Sequence, residues 1–330
     1  MNRRYLGAFL VRVAVASIAA PSILRAQQTA VPVIGYVSGR SLATDWHLLA
    51  AFREGLRETG FVDGHNVTMD IHWADGRYDG IPKLMADMVK TKPALIVALG
   101  GNQVGLTAKE MTSSIPVLFG TSADPVSLGL VSNLSRPDAN LTGMTLLATT
   151  LDAKRLELLR EMMPTARSVA ILFNPSNPGA TDQLKEAQAA TGTLGFSLKI
   201  LEARTEAEID RAFEALDSTP VDVLAVVVDS FLIIQRVRIV AATAARKLPA
   251  MFPSREFTDA GGLASYGPRW ADMYRILGLY AGRILKGAKP SDLPVQRPTT
   301  FELVVNLTTA KTQGLALSKG FLNRVDQLIE

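Results

Sequence analysis

Short apolar runs rich in β-formers alternate along the chain with longer stretches in which apolar residues recur every three or four positions. That alternation predicts parallel sheets with a helix after each strand. The first run is Val33-Ile34-Gly35-Tyr36-Val37. A helix is predicted over 45–59, where Leu48, Leu49, Phe52 and Leu56 share one face and Gly60 supplies a stop. A strand over 67–73, a helix over 81–90, the almost wholly apolar strand 94–99 and a helix over 104–111 lead to Ile115-Pro116-Val117-Leu118-Phe119.

The second half replays this order. Val169-Ala170-Ile171-Leu172-Phe173 precedes a helix to 193, then Gly195-Phe196, a strand to 201, a helix over 206–216, a strand over 223–228 and a helix ending near 247. Leu248-Pro249-Ala250-Met251-Phe252 closes the series. Corresponding landmarks keep a nearly constant offset: 136 from Ile34 to Ala170, 135 from Gly60-Phe61 to Gly195-Phe196, and 133 from Ile115-Pro116 to Leu248-Pro249. Any two doubly wound units share an element order, but the matched Gly-Phe and Pro landmarks favour two similar lobes. Three elements follow the repeat: the strand Gly261-Gly262-Leu263-Ala264-Ser265-Tyr266, a helix over 270–286 and a strand over 301–306. The expected architecture is α/β, with two doubly wound Rossmann-like lobes. Lobe one takes 31–147 plus about 268–296, lobe two takes 148–267 plus about 297–330, and several chain crossings form a hinge.

The amino terminus has a different pattern. Arg3-Arg4, an apolar stretch over 5–24 and Leu24-Arg25-Ala26 read as an export signal, residues 1–26, cut after Ala26. A membrane anchor is the alternative, and Arg12 interrupts the apolar span it would need. Sec and twin-arginine export both stay open. The net charge of +4 owes everything to Arg3, Arg4, Arg12 and Arg25; without them 31 basic residues face 31 acidic ones. No surplus of cations remains for a nucleic-acid partner. The chain has no cysteine, which excludes disulfides, thiolate metal sites, Cys nucleophiles and a lipidated Cys. An exported protein without that anchor is expected in the periplasm.

Ligands of open parallel sheets bind beyond the carboxyl ends of the strands, where helix N-termini and free backbone N–H groups point. Those ends carry Ser38-Gly39, Gly100-Gly101-Asn102, Thr121-Ser122 with Asp124, Asn174 and Asn177, Asp229-Ser230, and Tyr266. Glycines and small polar groups suit close approach and neutral hydrogen bonds, while Asp229 and Asp124 could meet a cation. Taken singly, Asp229-Ser230 and Asn102 could be helix caps and Asn174-Pro175-Ser176-Asn177 a turn; only convergence would make them a site. No catalytic motif is present: there is no G-x-S-x-G, P-loop, H-E-x-x-H or G-x-G-x-x-G after the first strand. His47, His65 and His72 fall on three different elements, so no shared metal site is expected, nor any cofactor.

These residues together resemble the ABC-transporter substrate-binding family that includes tryptophan and tyrosine uptake proteins. The similarity runs over 33–330. It rests on Ala51-Phe52-Arg53-Glu54-Gly55-Leu56 with Gly60-Phe61, on Ile115-Pro116-Val117 through Asp124-Pro125, and on Leu141-Thr142-Gly143. Further on it rests on Leu248-Pro249-Ala250, the 261–267 stretch, Lys286-Gly287-Ala288-Lys289-Pro290 with Asp292-Leu293-Pro294, and Asn306-Leu307 with Ala310-Lys311. The resemblance implies a type I periplasmic-binding fold, a ligand held between hinged lobes, delivery to a membrane permease, and binding positions at Ser38, Gly100 to Asn102, Thr121 to Asp124, Asn174 to Asn177 and Asp229-Ser230. Two positions depart from the amino-acid binders, which show Gly-Thr after the third strand and an Asp-Asn pair in lobe two. Here Gly100-Gly101 and Asp229-Ser230-Phe231 stand instead, which argues against an aromatic amino acid as cargo. The expected protein is a monomer that binds a small molecule for an ABC permease. A sensor or chemoreceptor partner is the alternative, and a periplasmic hydrolase using Asp229 or Ser230 a more distant one.

Overall fold

The alternating runs become two separate sheets in a computed structural model that describes residues 31–330 apart from Asp138. The export signal read over 1–26 lies outside the described residues. The first half runs β1 (Val33–Ser38), α1 (Leu42–Glu58), β2 (Thr68–Trp73), α2 (Ile81–Lys90), β3 (Leu95–Leu99), α3 (Asn102–Met111), β4 (Val117–Thr121) and β5 (Leu141–Thr145). These strands pair in the order β2-β1-β3-β4-β5, all parallel. Every residue of β3 and β5 is buried, as befits strands covered on both faces.

The second half runs α4 (Ala148–Met162), β6 (Ser168–Phe173), α5 (Ala180–Thr193), β7 (Ser197–Glu202), α6 (Glu206–Ser218), β8 (Val223–Val226), α7 (Ser230–Ile234), α8 (Arg236–Ala245), β9 (Ala250–Phe252), α9 (Arg255–Asp259) and β10 (Ala264–Pro268). The tail supplies α10 (Trp270–Leu285), β11 (Phe301–Asn306), α11 (Leu307–Gln313), α12 (Lys319–Leu322) and β12 (Gln327–Ile329). The second sheet has the order β12-β11-β10-β9-β8-β6-β7, parallel except where β11 joins β10. Two doubly wound lobes result, as the repeat predicts.

The chain passes between the lobes three times: after β5, between β10 and α10, and between Gln296 and β11. At the third passage Gln296 bridges Met144 beside β5 before the chain leaves to pair with β10. Helix α10 packs along α1, and glycines set how closely the two approach. A β-carbon on Gly55 would lie 1.9 Å from the Arg275 carbonyl oxygen, and one on Gly278 would lie 2.1 Å from that of Phe52.

Several bounds differ from the sequence reading. Helix α1 starts three residues earlier, because Ser41 already has the extended conformation of an N-cap. Strand β4 runs on through Gly120 and Thr121, which pair with Met144 and Thr145. Strand β8 stops at Val226, so Asp229 tops a short loop.

In an exposed helix, replacing glycine by alanine stabilises by up to about 1 kcal/mol. At Gly278 the same change should instead destabilise by about 1–3 kcal/mol, since the methyl group meets backbone that cannot yield without parting α1 from α10. Urea unfolding of Gly278→Ala checks the sign.

Candidate functional site

Strand ends of both sheets, together with the first turns of α10, enclose a cavity with about 540 Å³ of free space including its mouth. From the first sheet come Arg40, Leu99, Gly100, Gly101, Gly120, Thr121, Ser122, Met144 and Leu146. From the second come Asn177, Val228, Asp229, Ser230 and Ile233; Trp270, Met273, Tyr274 and Leu277 belong to α10. The backbone at Gly100 and Gly101 has φ of +71° and +135°, conformations that favour glycine, and this lets β3's tip approach lobe two. Ser230 Oγ donates to the Gly100 carbonyl at 2.6 Å.

Asp229 is the N-cap of α7 and is 2% exposed. Its Oδ1 accepts from the Leu232 amide at 3.1 Å and from Asn174 Nδ2 at 3.3 Å. Its Oδ2 accepts from Asn177 Nδ2 at 3.1 Å and, across the cleft, from the Tyr78 hydroxyl at 2.5 Å. Burial outweighs these four donors and holds the carboxyl above its ordinary range. Burial, then the neighbouring Asp229, push the Tyr78 hydroxyl well up, so it stays protonated as donor. A second bridge runs from Asn102 Nδ2 to Asn177 Oδ1 at 2.8 Å. Asn102 Oδ1 meanwhile accepts from the Ser122 and Ala123 amides at 2.8 and 3.3 Å, pinning the end of β4.

Of the residues singled out from the sequence, Gly100, Gly101, Thr121, Ser122, Asn177, Asp229 and Ser230 line the cavity. Ser38, Gly39, Asn102 and Asn174 stand just behind it: Ser38 Oγ accepts from the Arg40 amide at 3.2 Å, and the Gly39 amide donates to the Leu99 carbonyl at 3.0 Å. Asp124 and Tyr266 are not brought in. Asp124 caps its own loop through the Val126 amide at 2.9 Å, and the Tyr266 ring stacks on Phe301 with centroids 6.1 Å apart. Asp229 already accepts four hydrogen bonds and Asp124 lies outside the lining, so neither presents a free carboxylate edge within the cavity.

Sequence reasoning missed Arg40 and the α10 residues. Arg40 lies two residues past β1 and is 2% exposed. Its guanidinium sits 5.6 Å from the centroid of the Trp270 ring, and Nη2 lies 2.9 Å from Asp45 Oδ1. Burial opposes the guanidinium's charge, but Asp45 foremost outweighs it, so Arg40 is held more firmly protonated than usual. Nearby, His47 Nε2 on α1 is 3.7 Å from Glu256 Oε1 on α9, a pairing between lobes. Burial works against the Glu256 carboxylate, yet His47, Arg40 and Ser254 bring its pKa down to about 2. Among the described residues no group of three or more His, Cys, Asp or Glu side chains could hold a metal.

Two sheets joined by three crossings around one shared cavity define a hinged two-lobe binding protein of the periplasmic-binding class. The chain belongs to the ABC transporter substrate binding protein family, whose model matches residues 30–329. It is 26% identical over 261 residues to the tyrosine-binding protein of Clostridioides difficile, covering 79% of this chain and 74% of that one. Among solved structures, a Streptococcus pneumoniae ABC domain in complex with L-Trp superposes with a TM-score of 0.83 at 23% identity, over 90% of this chain and 99% of that one. A conserved domain protein from Vibrio cholerae gives 0.84 at 22% identity with the same coverage. A ligand-free, open substrate-binding protein with adhesive properties from Clostridium difficile gives 0.65 at 24% identity, over 91% and 99%. The family is one of substrate-binding proteins, and two of these relatives are described by the amino acid they bind, tyrosine and L-Trp. Among the described residues no helix is long and apolar enough to cross a membrane.

Two expectations follow. Tyr78→Phe removes a hydrogen bond to a buried carboxylate across the cleft, an interaction of about 1.5–3 kcal/mol, and should shift the lobes toward opening by a similar amount. Small-angle scattering should show a larger radius of gyration. A carboxyl lowered on folding stabilises above its unfolded pKa and loses that contribution as pH falls toward the folded one. For Glu256 the window is from 4.5 to about 2. The loss of stability between about pH 5 and pH 2.5 should therefore be smaller in Glu256→Gln than in the parent, by roughly 1–3 kcal/mol in urea titrations at each pH.

Proposed function

We propose that the exported chain binds one small molecule between its lobes and hands it to an ABC permease in the inner membrane. The observation that carries this reading is the cavity to which both sheets and α10 contribute, bridged by Tyr78–Asp229, Asn102–Asn177 and Ser230–Gly100. Closure around the solute then generates the surface that the permease reads.

In this reading Gly100, Gly101, Thr121, Ser122, Asn177, Asp229 and Ser230 form the polar wall, with Ser38, Gly39, Asn102 and Asn174 holding it in shape. The protein acts as a monomer in the periplasm, freed by cleavage after Ala26, and performs no chemistry on its cargo. It uses neither cofactor nor nucleic acid. The L-Trp complex and the tyrosine-binding relative make a compact, partly apolar cargo the natural starting point.

Protein purified from its native host should begin at Gln27 by intact mass and release a stoichiometric small molecule on denaturation. Returned at about a hundredfold excess over its dissociation constant, that molecule should stabilise the fold by about 2.7 kcal/mol. Deleting the neighbouring permease should abolish uptake; unchanged uptake would point to a sensor partner, and appearance of product from the incubated cargo would point to a hydrolase.

A further inference from the structure

The polar wall of the cavity is largely satisfied within the protein, and what it leaves over has one sign. Asp229 already accepts four hydrogen bonds, and Asn177 and Ser230 are engaged across the cleft. The lining side chains with buried polar atoms that find no hydrogen-bond acceptor in the protein are Arg40, through Nε and Nη2, and Trp270, through Nε1. All three are donors. Asp45, from behind on α1, approaches Nη2 at 2.9 Å but makes no aligned hydrogen bond with it; its Oδ1 accepts from Thr44 Oγ1 at 2.9 Å instead. A buried guanidinium with donors to spare is matched by an anionic acceptor, and a carboxylate fits its fork geometry. Apart from this corner and the internally satisfied polar wall, the lining includes the apolar side chains of Met144, Leu146, Val228, Ile233, Met273 and Leu277.

We propose that Arg40 and the Trp270 indole N–H grip a carboxylate at the hinge side of the cavity, and that the preferred cargo is a carboxylic acid with an apolar body whose recognition needs no ammonium group. The inference rests on the solute-binding function above and narrows its substrate class. The saturated state of Asp229 removes the cation receptor that a zwitterion would require. Asp45 holds the guanidinium in place while partly neutralising it, so removing Asp45's charge should strengthen the grip even as it weakens the fold.

The test is calorimetric titration of the exported protein, freed of cargo, with paired probes: phenylacetate and indole-3-propionate against phenylacetamide and indole-3-propionamide, with L-tryptophan as the zwitterion. The acids should bind at least tenfold tighter than their amides, and L-tryptophan no tighter than indole-3-propionate. Arg40→Gln should abolish the preference for acid over amide, with Arg40→Lys keeping part of it. Asp45→Asn should lower the melting temperature without ligand yet tighten binding of the acids, a combination that a merely structural Arg40 would not give. Should Arg40→Gln fail to fold, the acid–amide comparison on the parent decides. Amides binding as well as acids, L-tryptophan binding tenfold tighter than indole-3-propionate, or a native cargo with no acidic group would each overturn the inference while leaving solute binding intact. A protein that carries and binds no solute at all would overturn both.

Discussion

Taking the Asp229 carboxylate out of water is tolerable only while donors surround it, and those donors come from three places. The α7 backbone and the Asn174-to-Asn177 turn supply donors from lobe two; Tyr78 supplies one from lobe one. The charge therefore favours any arrangement that keeps Tyr78 within reach. Opening the cleft forfeits that hydrogen bond and admits water in its place, which makes the exchange gentler than losing a partner in a dry core. An equilibrium between open and closed forms needs interactions of this kind, strong enough to define the closed state and replaceable enough to release it.

Around that centre, close approach is a matter of missing side chains as much as of hydrogen bonds. Gly101 lets β3's tip meet Ser230, and Gly179 sits where a β-carbon would lie 3.0 Å from both Ala123 and Asn102. On the far side of the first sheet, Gly55 and Gly278 perform the same service for α1 and α10. The α1–α10 contact is the tighter of the two: β-carbons there would stand 1.9 and 2.1 Å from backbone carbonyls, against 3.1 and 3.0 Å from side-chain atoms at Gly101 and Gly179.

Much of the fold could be read from the chain because parallel strands buried on both faces are nearly continuous apolar runs. β3 and β6 stand out for that reason, and the Gly-Phe and Pro landmarks exposed the repeat. β5 carries two threonines and a glycine in five residues and did not register as a strand until its neighbours supplied partners. Polar tips at strand ends were equally legible, and seven of them line the cavity. Asp124 and Tyr266 were not separable from those seven, since a loop cap and a stacked ring have the same composition as a ligand contact. Arg40 and Trp270 were invisible for another reason. Nothing local marks an arginine as buried; its setting is made by α10, which arrives from more than two hundred residues away.

That distance between α1 and α10 has a bearing on biogenesis. Lobe one lacks the helix that covers α1 until residue 285 has been synthesised, by which time every strand up to β10 has been made. Until then α1 has no partner on the flank where Gly55 meets α10. Completion waits for contacts of very high sequence separation, which form slowly. A chain truncated before Trp270 would have nothing with which to cover that flank of α1.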